Sequence, residues 1–447
     1  NYRTARLRIF TMKKTLSLPK APIGMINRHK KINPAEMNKI LNQHFNAFKQ
    51  AAAQGDYVKA YQHVKKAVSL VPGHPGALSD LAYTELRLRR YDDAYQHYMQ
   101  AIKASGSNVN TNLYDGLTEV CHHLNKKEEK IKFGRLAIST KKELTKNEPT
   151  LNIPTHKPVP FSPNPQENII AFSLFGANPR YCETSILNTK LAQEIYPEWT
   201  CRFYVDESVP ELVQQRLQAN GAQVVHVSPT QKQLSGLFWR FLVMDDPVVK
   251  RFLVRDADSI VSYREKAAVD AWLKSDQWFH LMRDSYSHTE LILAGMWGGC
   301  TGIFHNIEAH IRDYVATGRY LDNRVIDQHY LRYCIWPTLK QSVLVHDSQQ
   351  FDENSADFPV YDLTSMQNDQ DNFHVGMDNG SPVVTTAVNH PTAEKVYWIL
   401  FDENHDEVCR YDAIVSKSRN IEVNLPHAFA KKIQLQQWKL QVYPYEN

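Results

Sequence analysis

The sequence predicts a multidomain protein in which α-helical repeats precede an α/β domain with a mostly parallel mixed sheet and a small β appendage. Three observations predict this. Ala60 and Ala67 recur as Ala94 and Ala101, an offset of 34 residues in each case (94 − 60 and 101 − 67). Beyond a proline-rich segment, strand-like runs alternate with helical stretches, which is typical of a parallel sheet covered by helices. Short strand-like runs separated by turn residues follow at the end of the chain.

The composition excludes several classes of protein. The 447 residues are 43% hydrophobic and 22% charged, as in ordinary globular proteins. The chain has 52 basic and 48 acidic residues, a net charge of +4, which is too balanced for a dedicated nucleic-acid binder. The mean hydropathy is −0.48. Since no stretch of about 18 consecutive apolar residues occurs, the sequence predicts no membrane-spanning helix.

The cysteines and the first residues favour a cytoplasmic protein. None of the six cysteines forms a Cys-x-x-Cys pair, so a zinc knuckle or a redox motif is not indicated. The segment from Met12 begins like a signal peptide, but Pro19 and Pro22 interrupt it before an apolar core develops. Residues 1–35 carry basic side chains and no acidic ones, and they are predicted to form a flexible arm. Such an arm suits peripheral contact with the inner surface of a membrane, and a solvated arm is the alternative.

Residues 36–145 are predicted to form the helical repeats. The small residues that recur after 34 positions are those that let two helices approach closely, and Pro72 closes the second helix of its unit. A looser third copy includes Gly134 and Ala137. The segment resembles the tetratricopeptide repeat, which implies a concave surface that binds peptides or partner proteins. A packing spacer without a ligand is the alternative.

Residues 146–167 contain six prolines and are predicted to be a semi-rigid linker. The α/β domain is predicted over 168–384, with strands at 168–175, 200–205 and 223–227 and a helix through Phe238–Phe241. Neither a dinucleotide-binding glycine motif nor a phosphate-binding P-loop is present. Ligands are expected at the carboxyl ends of the strands.

The triplet Asp256-Ala257-Asp258 is the most informative chemical motif. It follows the apolar run 252–254 and therefore lies at the carboxyl end of a predicted strand. Two carboxylates at this spacing are able to reach one hard divalent cation, Mg²⁺ or Mn²⁺, which keeps open positions for a diphosphate. An ordinary turn or a helix cap is the alternative for this pair.

Further motifs follow in a fixed order. They are Trp239-Arg240-Phe241 before the triplet, then Met282-Arg283-Asp284 with His288, the run Gly298-Gly-Cys-Thr-Gly302, the pair Asp327-Gln328 and the run Ser342–His346. Together with the triplet they resemble the GT-A nucleotide-diphospho-sugar glycosyltransferases, of Rossmann-like fold, and family 8 of these in particular. The resemblance covers about residues 168–376.

The resemblance implies a site. Metal ligands would be Asp256, Asp258 and His346, with His374 as a rival because the trailing Lys-Pro-Trp of the family is absent after both histidines. The cation would be Mn²⁺ or Mg²⁺, the donor a nucleotide-diphosphate sugar, most simply a UDP-sugar, and the acceptor a glycan or a protein. Asp284 and Asp327 would act at the reaction centre. The donor would be bound by Phe172, Ser173, Arg180, Asp206, Arg240, Asp256, Gly298 and Gln328.

Other interpretations stay open. Asp327 is also suited to capping the helix that follows it, and Trp239 and Trp297 are suited either to a donor cleft or to the core. A strand followed by two aspartates also occurs in phosphohydrolases, where Asp256 would be the nucleophile and Asp258 the acid. A non-catalytic repeat scaffold with a degenerate transferase domain is a third possibility. Residues 385–447 are predicted to be a small β appendage that binds glycan or stabilises the chain.

Overall fold

The computed structural model describes residues 33–319, 325–361 and 373–445. The predicted basic arm, apart from residues 33–35, lies outside the described residues. Within the described part of the chain, no helix combines the length and the apolar character needed to cross a bilayer.

Helices fill the region in which repeats are predicted. They are α1 Pro34–Ala53, α2 Tyr57–Leu70, α3 Pro75–Arg87, α4 Tyr91–Ser105, α5 Thr111–His123 and α6 Lys127–Leu144. Side chains cap several of these helices: Asn33 accepts a hydrogen bond from the amide of Ala35, and Asp56 accepts one from that of Lys59. The recurring Ala60 and Ala94 are fully buried, so the repeated small residues lie where helices pack.

A mixed sheet follows the linker. Its strands are β1 Asn168–Leu174, β2 Thr200–Val205, β3 Gln223–His226, β4 Arg251–Arg255, β5 Phe279–Arg283, β6 Met296–Cys300 and β7 Val343–Asp347. Among the described residues these strands lie in the order β3-β2-β1-β4-β6-β5-β7. β6 is antiparallel to both of its neighbours, whereas β1 pairs in parallel with β2 and β4, and β5 with β7. The carboxyl ends of all strands except β6 therefore meet at one edge of the sheet, which we call the carboxyl edge.

Helices cover this sheet. They are α7 Pro179–Ile195, α8 Glu211–Ala219, α9 Tyr263–Leu273, α10 Ile307–Ala316, α11 Ile326–Tyr330 and α12 Trp336–Leu339, with a π-helix at Leu331–Ile335 between the last two. The helix predicted through Phe238–Phe241 is instead a 3₁₀ helix, Gly236–Asp245. The core of the sheet includes Ile138 of α6, so the last repeat helix and the α/β domain share one apolar core.

The C-terminal region combines strands with a helix that the sequence analysis missed. The strands are β8 Val384–Ala387, β9 Lys395–Phe401, β10 Glu407–Ile414, β11 Asn420–Val423 and β12 Lys439–Pro444, and the helix is α13 His427–Gln434. The hydroxyl of Tyr411 on β10 donates to Glu183 Oε1 on α7 at 2.6 Å, in a buried position. The appendage is therefore packed onto the α/β domain.

Candidate functional site

A buried arginine, itself a predicted site residue, contacts three other predicted site residues at the carboxyl edge. Arg240, on the 3₁₀ helix, is 3% exposed. Its guanidinium donates to Asp256 Oδ1 at 2.5 Å and to Asp327 Oδ2 at 2.9 Å, and its backbone amide donates to Ser173 Oγ at 2.9 Å. Ser173 lies near the end of β1, Asp256 follows β4, and Asp327 lies in the first turn of α11, so three elements converge on Arg240. We call these four residues the Arg240 network.

The backbone next to Asp256 is tightly packed. A Cβ atom at Gly295, just before β6, would overlap Asp256 Oδ2 and lie 2.5 Å from its Cγ. Only glycine leaves room for the carboxylate in this position. The glycine at 295 therefore helps to fix the orientation in which Asp256 faces Arg240.

Asp258, the second carboxylate of the triplet, is held by a different arginine. Arg180 Nη2, in the first turn of α7, lies 3.3 Å from Asp258 Oδ2 and also pairs with Asp378. The amide of Asn379 donates to the Asp258 carbonyl at 2.6 Å. The sequence analysis missed Asp378, because no strand or motif marks it and only the fold brings it to the triplet.

Asp284 directly follows β5 and accepts several hydrogen bonds. Arg264 of α9 donates to both carboxylate oxygens, at 2.7 and 2.8 Å, and the amide of Val375 donates to Oδ2 at 2.9 Å. His288 Nδ1 accepts a hydrogen bond from the Asp284 amide at 2.9 Å. The ring of His374 packs edge-on against that of His288, with the ring centroids 5.1 Å apart. His374 thus lies beside the Asp284 region.

His346 contacts a different set of residues. Its Nδ1 lies 2.8 Å from Nε2 of His280, and both rings are buried between β5 and β7. Burial lowers the pKa of His346 to about 4 and holds that of His280 well below its usual value, so both rings are neutral at pH 7. β7 lies three strands from β4 in the sheet, a backbone separation of about 14 Å at about 4.8 Å per strand.

The fold does not bring the residues of the implied metal site together. Among the described residues, no group of three or more His, Cys, Asp or Glu side chains is arranged to hold a metal ion. Asp256 and Asp258 each face an arginine, and His346 contacts His280 instead of the pair. The set Asp256, Asp258 and His346 therefore does not fit a single metal site in this structure.

Other predicted site residues lie in the core. Phe172 is fully buried and stacks on Phe203 of β2, and Gly298 lies within β6 against the backbone of β4. Trp297 and Trp239 are 0% and 4% exposed, so the interpretation of these rings as the lining of a donor cleft is corrected: they are core residues. The aromatic excess of the sequence serves packing at these positions.

Two further predicted residues, Asp206 and Gln328, lie at the carboxyl edge beside the Arg240 network. Asp206 follows β2, and its Oδ1 accepts a hydrogen bond from the backbone amide of Ser208. The hydroxyl of Ser208 accepts a hydrogen bond from the backbone amide of Gly176 at 2.6 Å. Gln328 is half-buried, and its backbone amide donates a hydrogen bond to Asp327 Oδ1 at 2.9 Å. Both lie in elements that adjoin the Arg240 network.

Solved structures with some likeness to the chain fall into two groups. The second TPR domain of human RPAP3, in complex with an HSP70 peptide, is 14% identical with a TM-score of 0.22, over 23% of this chain and 84% of that one. The N-terminal domain of stress-induced protein-1 from C. elegans is 15% identical with a TM-score of 0.21, over 23% and 85%. A mutant of the O-GlcNAc transferase of Thermobaculum terrenum is 11% identical with a TM-score of 0.26; the match covers 58% of this chain and 55% of that one.

No curated protein sequence matches the chain. The family model of the tetratricopeptide repeat matches residues 51–108, a segment that runs from the end of α1 to just beyond α4. The repeat predicted from the 34-residue spacing is thereby confirmed, and the chain carries tetratricopeptide repeats joined to a mixed α/β region with a mostly parallel sheet.

Proposed function

We propose that the protein is a glycosyltransferase that moves a sugar from a nucleotide-diphosphate sugar, most simply a UDP-sugar, to a glycan or protein acceptor. The observation that carries the proposal is the Arg240 network, in which residues far apart in sequence meet at the carboxyl edge of a mostly parallel sheet. Ligands of open α/β sheets bind at this edge. The mixed sheet also agrees with the GT-A type that the motifs resemble.

The chain's own side chains supply charge and orientation in this proposal. Arg180 and Arg240 place two cations at the carboxyl edge, where a diphosphate leaving group accumulates negative charge. An acceptor hydroxyl attacks the anomeric carbon, and the bond from that carbon to the diphosphate oxygen breaks. In this proposal the Asp284 carboxylate, which Arg264 and the Val375 amide hold in place, orients the acceptor hydroxyl.

A divalent cation is a separate proposal. Asp256 and Asp258 are hard oxygen ligands of the kind that Mn²⁺ and Mg²⁺ prefer, and they remain the pair that we propose for such an ion. His346 is not part of it, since it lies on β7, three strands from β4 in the sheet. When bound, the cation would offset charge on the diphosphate.

A non-catalytic scaffold is the second candidate, and one observation favours it. Both carboxylates of the triplet are already paired with arginines, as in a purely structural ion network. The repeats support a protein partner in either case, since repeats of this kind form concave binding surfaces. We propose in addition that the basic N-terminal arm makes peripheral contact with an anionic membrane surface.

A donor screen tests the proposal. We expect the wild-type protein to hydrolyse one of a set of UDP-, GDP- and CMP-sugars slowly, faster with Mn²⁺ than without it. Asp258→Asn is expected to lower this turnover by about 100-fold, the order of effect seen when one charge-stabilising group is lost. Asp276→Asn, which removes an exposed carboxylate paired with Lys157, is the control and is expected to match the wild type.

The screen also separates the alternatives. Release of phosphate from a generic phosphate ester, without turnover of any nucleotide sugar, would favour the phosphohydrolase. Absence of UDP binding in calorimetry with Mn²⁺ present would favour the scaffold. Equal activity of the wild type and Asp258→Asn without metal would contradict the proposed role of the triplet.

Gly295→Ala tests the packing around Asp256. The added Cβ has to displace the Asp256 carboxylate from Arg240, so we expect a loss of stability of about 1–3 kcal/mol and a loss of donor turnover of about 100-fold. Gly299→Ala is the matched control, because its Cβ would instead meet the rings of Phe279 and Phe252 within the sheet. It is expected to cost similar stability and to retain most of the turnover. Equal turnover in the two variants would contradict the role of Asp256.

A further inference from the structure

We infer that α6, the last repeat helix, positions the 284–291 loop of the α/β domain and that Lys141 is the central positioning residue. The 284–291 loop runs from Asp284 to Leu291, directly after β5. It carries Asp284, which the proposed function places beside the acceptor, and His288, whose ring accepts a hydrogen bond from the Asp284 amide. The inference deepens that function: its kinetic part rests on the proposed transfer reaction, and its structural part does not.

Lys141 reaches from the repeats into the loop. Its side chain is 1% exposed, although lysine is rarely buried without compensation. Its ammonium group donates to Asp115 Oδ1 of α5 at 2.6 Å and to the carbonyl oxygen of Thr289 at 2.7 Å. A buried ammonium that joins two domains is costly to displace, because each lost partner leaves a desolvated charge. Thr289 is adjacent to His288, whose ring accepts a hydrogen bond from the Asp284 amide, so the contact fixes the backbone close to Asp284.

The contact continues to the sheet through further buried charges. Glu290 pairs with Arg332 of the π-helix, and the charge of Lys141 also acts on it. Arg283, the last residue of β5, donates to the carbonyl oxygens of Glu290 and Leu291, at 3.1 and 2.7 Å. Both ends of the 284–291 loop are therefore attached to β5, and its middle is attached to α6.

A second contact lies at the tip of the loop. The ring of Tyr286 stacks on His122 at the end of α5, with centroids 3.9 Å apart and planes 14° apart. Helix α6 also covers the segment after β7: Gly134 lies directly against the ring of Phe351, and Lys142 pairs with Asp352 at 2.9 Å. Since β5 and β7 are neighbours, one pair of helices braces the carboxyl ends of both strands.

These contacts indicate that the repeats affect the rate of turnover and not the affinity for the donor. Asp256 follows β4 and Arg240 lies on the 3₁₀ helix, whereas Lys141 and His122 contact the loop after β5. Loosening the loop is expected to misplace Asp284 while it leaves the Arg240 network intact. A misplacement of about 1 Å is able to lower a rate by about 100-fold.

Two variants and one control test the inference in the full-length protein. Lys141→Met removes the ammonium group and keeps most of the apolar volume, and His122→Ala removes only the exposed stacking ring. Lys103→Met changes an exposed lysine on α4 and is the control. Hydrogen–deuterium exchange of the peptide that contains the 284–291 loop is compared with that of a peptide from β1. The kcat and KM of donor hydrolysis are measured in parallel.

In Lys141→Met we expect exchange in the 284–291 loop to be about tenfold faster or more, with exchange in β1 unchanged, because only a local opening is released. The kcat is expected to fall by about tenfold or more while the donor KM stays within about twofold. His122→Ala is expected to change exchange in the same peptide by a smaller factor. The control is expected to equal the wild type in both measurements.

Unchanged exchange in the loop of both variants would overturn the inference, whatever the kinetics. Faster exchange in the loop with an equal loss of kcat and a rise in donor KM would also overturn it, because the repeats would then support the whole domain instead of this loop. If the wild type hydrolyses no donor, the proposed function fails, and the exchange measurement alone decides whether Lys141 positions the loop.

Discussion

Arg240→Met is expected to lower the free energy of unfolding by about 3–5 kcal/mol, the usual cost of removing one partner of a buried ion pair. The variant leaves Asp327, which is 3% exposed, without the guanidinium that lies 2.9 Å from its Oδ2. It also removes the hydrogen bond to Asp256 Oδ1. Urea denaturation at neutral pH measures the loss, and the same preparation is expected to show no donor turnover.

A double-mutant cycle separates the ion pair from other effects of the substitution. Asp327→Asn alone and together with Arg240→Met gives the coupling energy, which we expect to be about 1–3 kcal/mol for groups in direct contact. Arg410→Met is the control, because Arg410 is half exposed and pairs with Glu407 on the surface. It is expected to change stability by less than about 1 kcal/mol. Additive effects of the two network substitutions would show that Arg240 and Asp327 do not stabilise each other.

The elements of the fold were predictable where local patterns decide them. The buried run 168–174 forms β1, and small residues that recur after 34 positions form packed helices, because both depend on periodic burial. Asp256 was also found, since its triplet directly follows β4, whereas Arg240 was found through the order of motifs that the family resemblance provides. Helix α13 was missed, as the short runs around it favoured strands.

The distance of His346, the third predicted metal ligand, from Asp256 and Asp258 was not predictable, because it depends on the order of the strands in the sheet. His346 does lie near the end of a strand, as expected, but that strand pairs with β5 and not with β4. The location of Trp297, in a donor cleft or in the core, was equally unpredictable from the sequence. Gly298 and Gly299 follow it, and their missing side chains let neighbouring strands and rings approach, which encloses Trp297 in the core.

The contact between the repeats and the sheet was hidden for a related reason. Six prolines between them predicted a linker, and linkers usually separate domains that move independently. The bond from Lys141 to Thr289 joins residues 148 positions apart, and Ile138 enters the core of the sheet. No local pattern encodes such a contact, because a buried lysine and an exposed one look the same in a sequence.

Glu290→Gln is the second substitution with a large expected effect, a loss of about 3–5 kcal/mol in the free energy of unfolding at neutral pH. Glu290 is 2% exposed and its carboxylate is bound by Arg332, which is itself buried. The amide keeps the shape of the side chain but removes the negative charge that compensates Arg332 and Lys141. Glu143→Gln on α6 is the control, because Glu143 forms an exposed pair with Lys146 and is expected to contribute less than about 1 kcal/mol.

The pH dependence of the stability loss in Glu290→Gln shows whether the lost charge is its cause. Burial by itself raises the pKa of Glu290, but the charges of Arg332 and Lys141 and the hydrogen bonds to its carboxylate outweigh burial and hold that pKa well below its usual value of 4.5. Below pH 4.5 the unfolded chain therefore binds a proton that the folded protein does not, so the contribution of Glu290 to stability is present above this pH and is lost as the pH falls.

The stability gap between the wild type and Glu290→Gln should consequently be widest at neutral pH and should narrow as the pH falls from about 5 to about 3. Urea midpoints across this range measure the gap, with Glu143→Gln run in parallel. A stability gap that stays constant with pH would mean that the glutamine side chain destabilises the protein by disturbing packing and not by removing a charge. A narrowing gap would show that the carboxylate of Glu290 stabilises the junction between the repeats and the sheet through its charge, since Arg332 binds it from the α/β domain and the charge of Lys141 acts on it from the repeats.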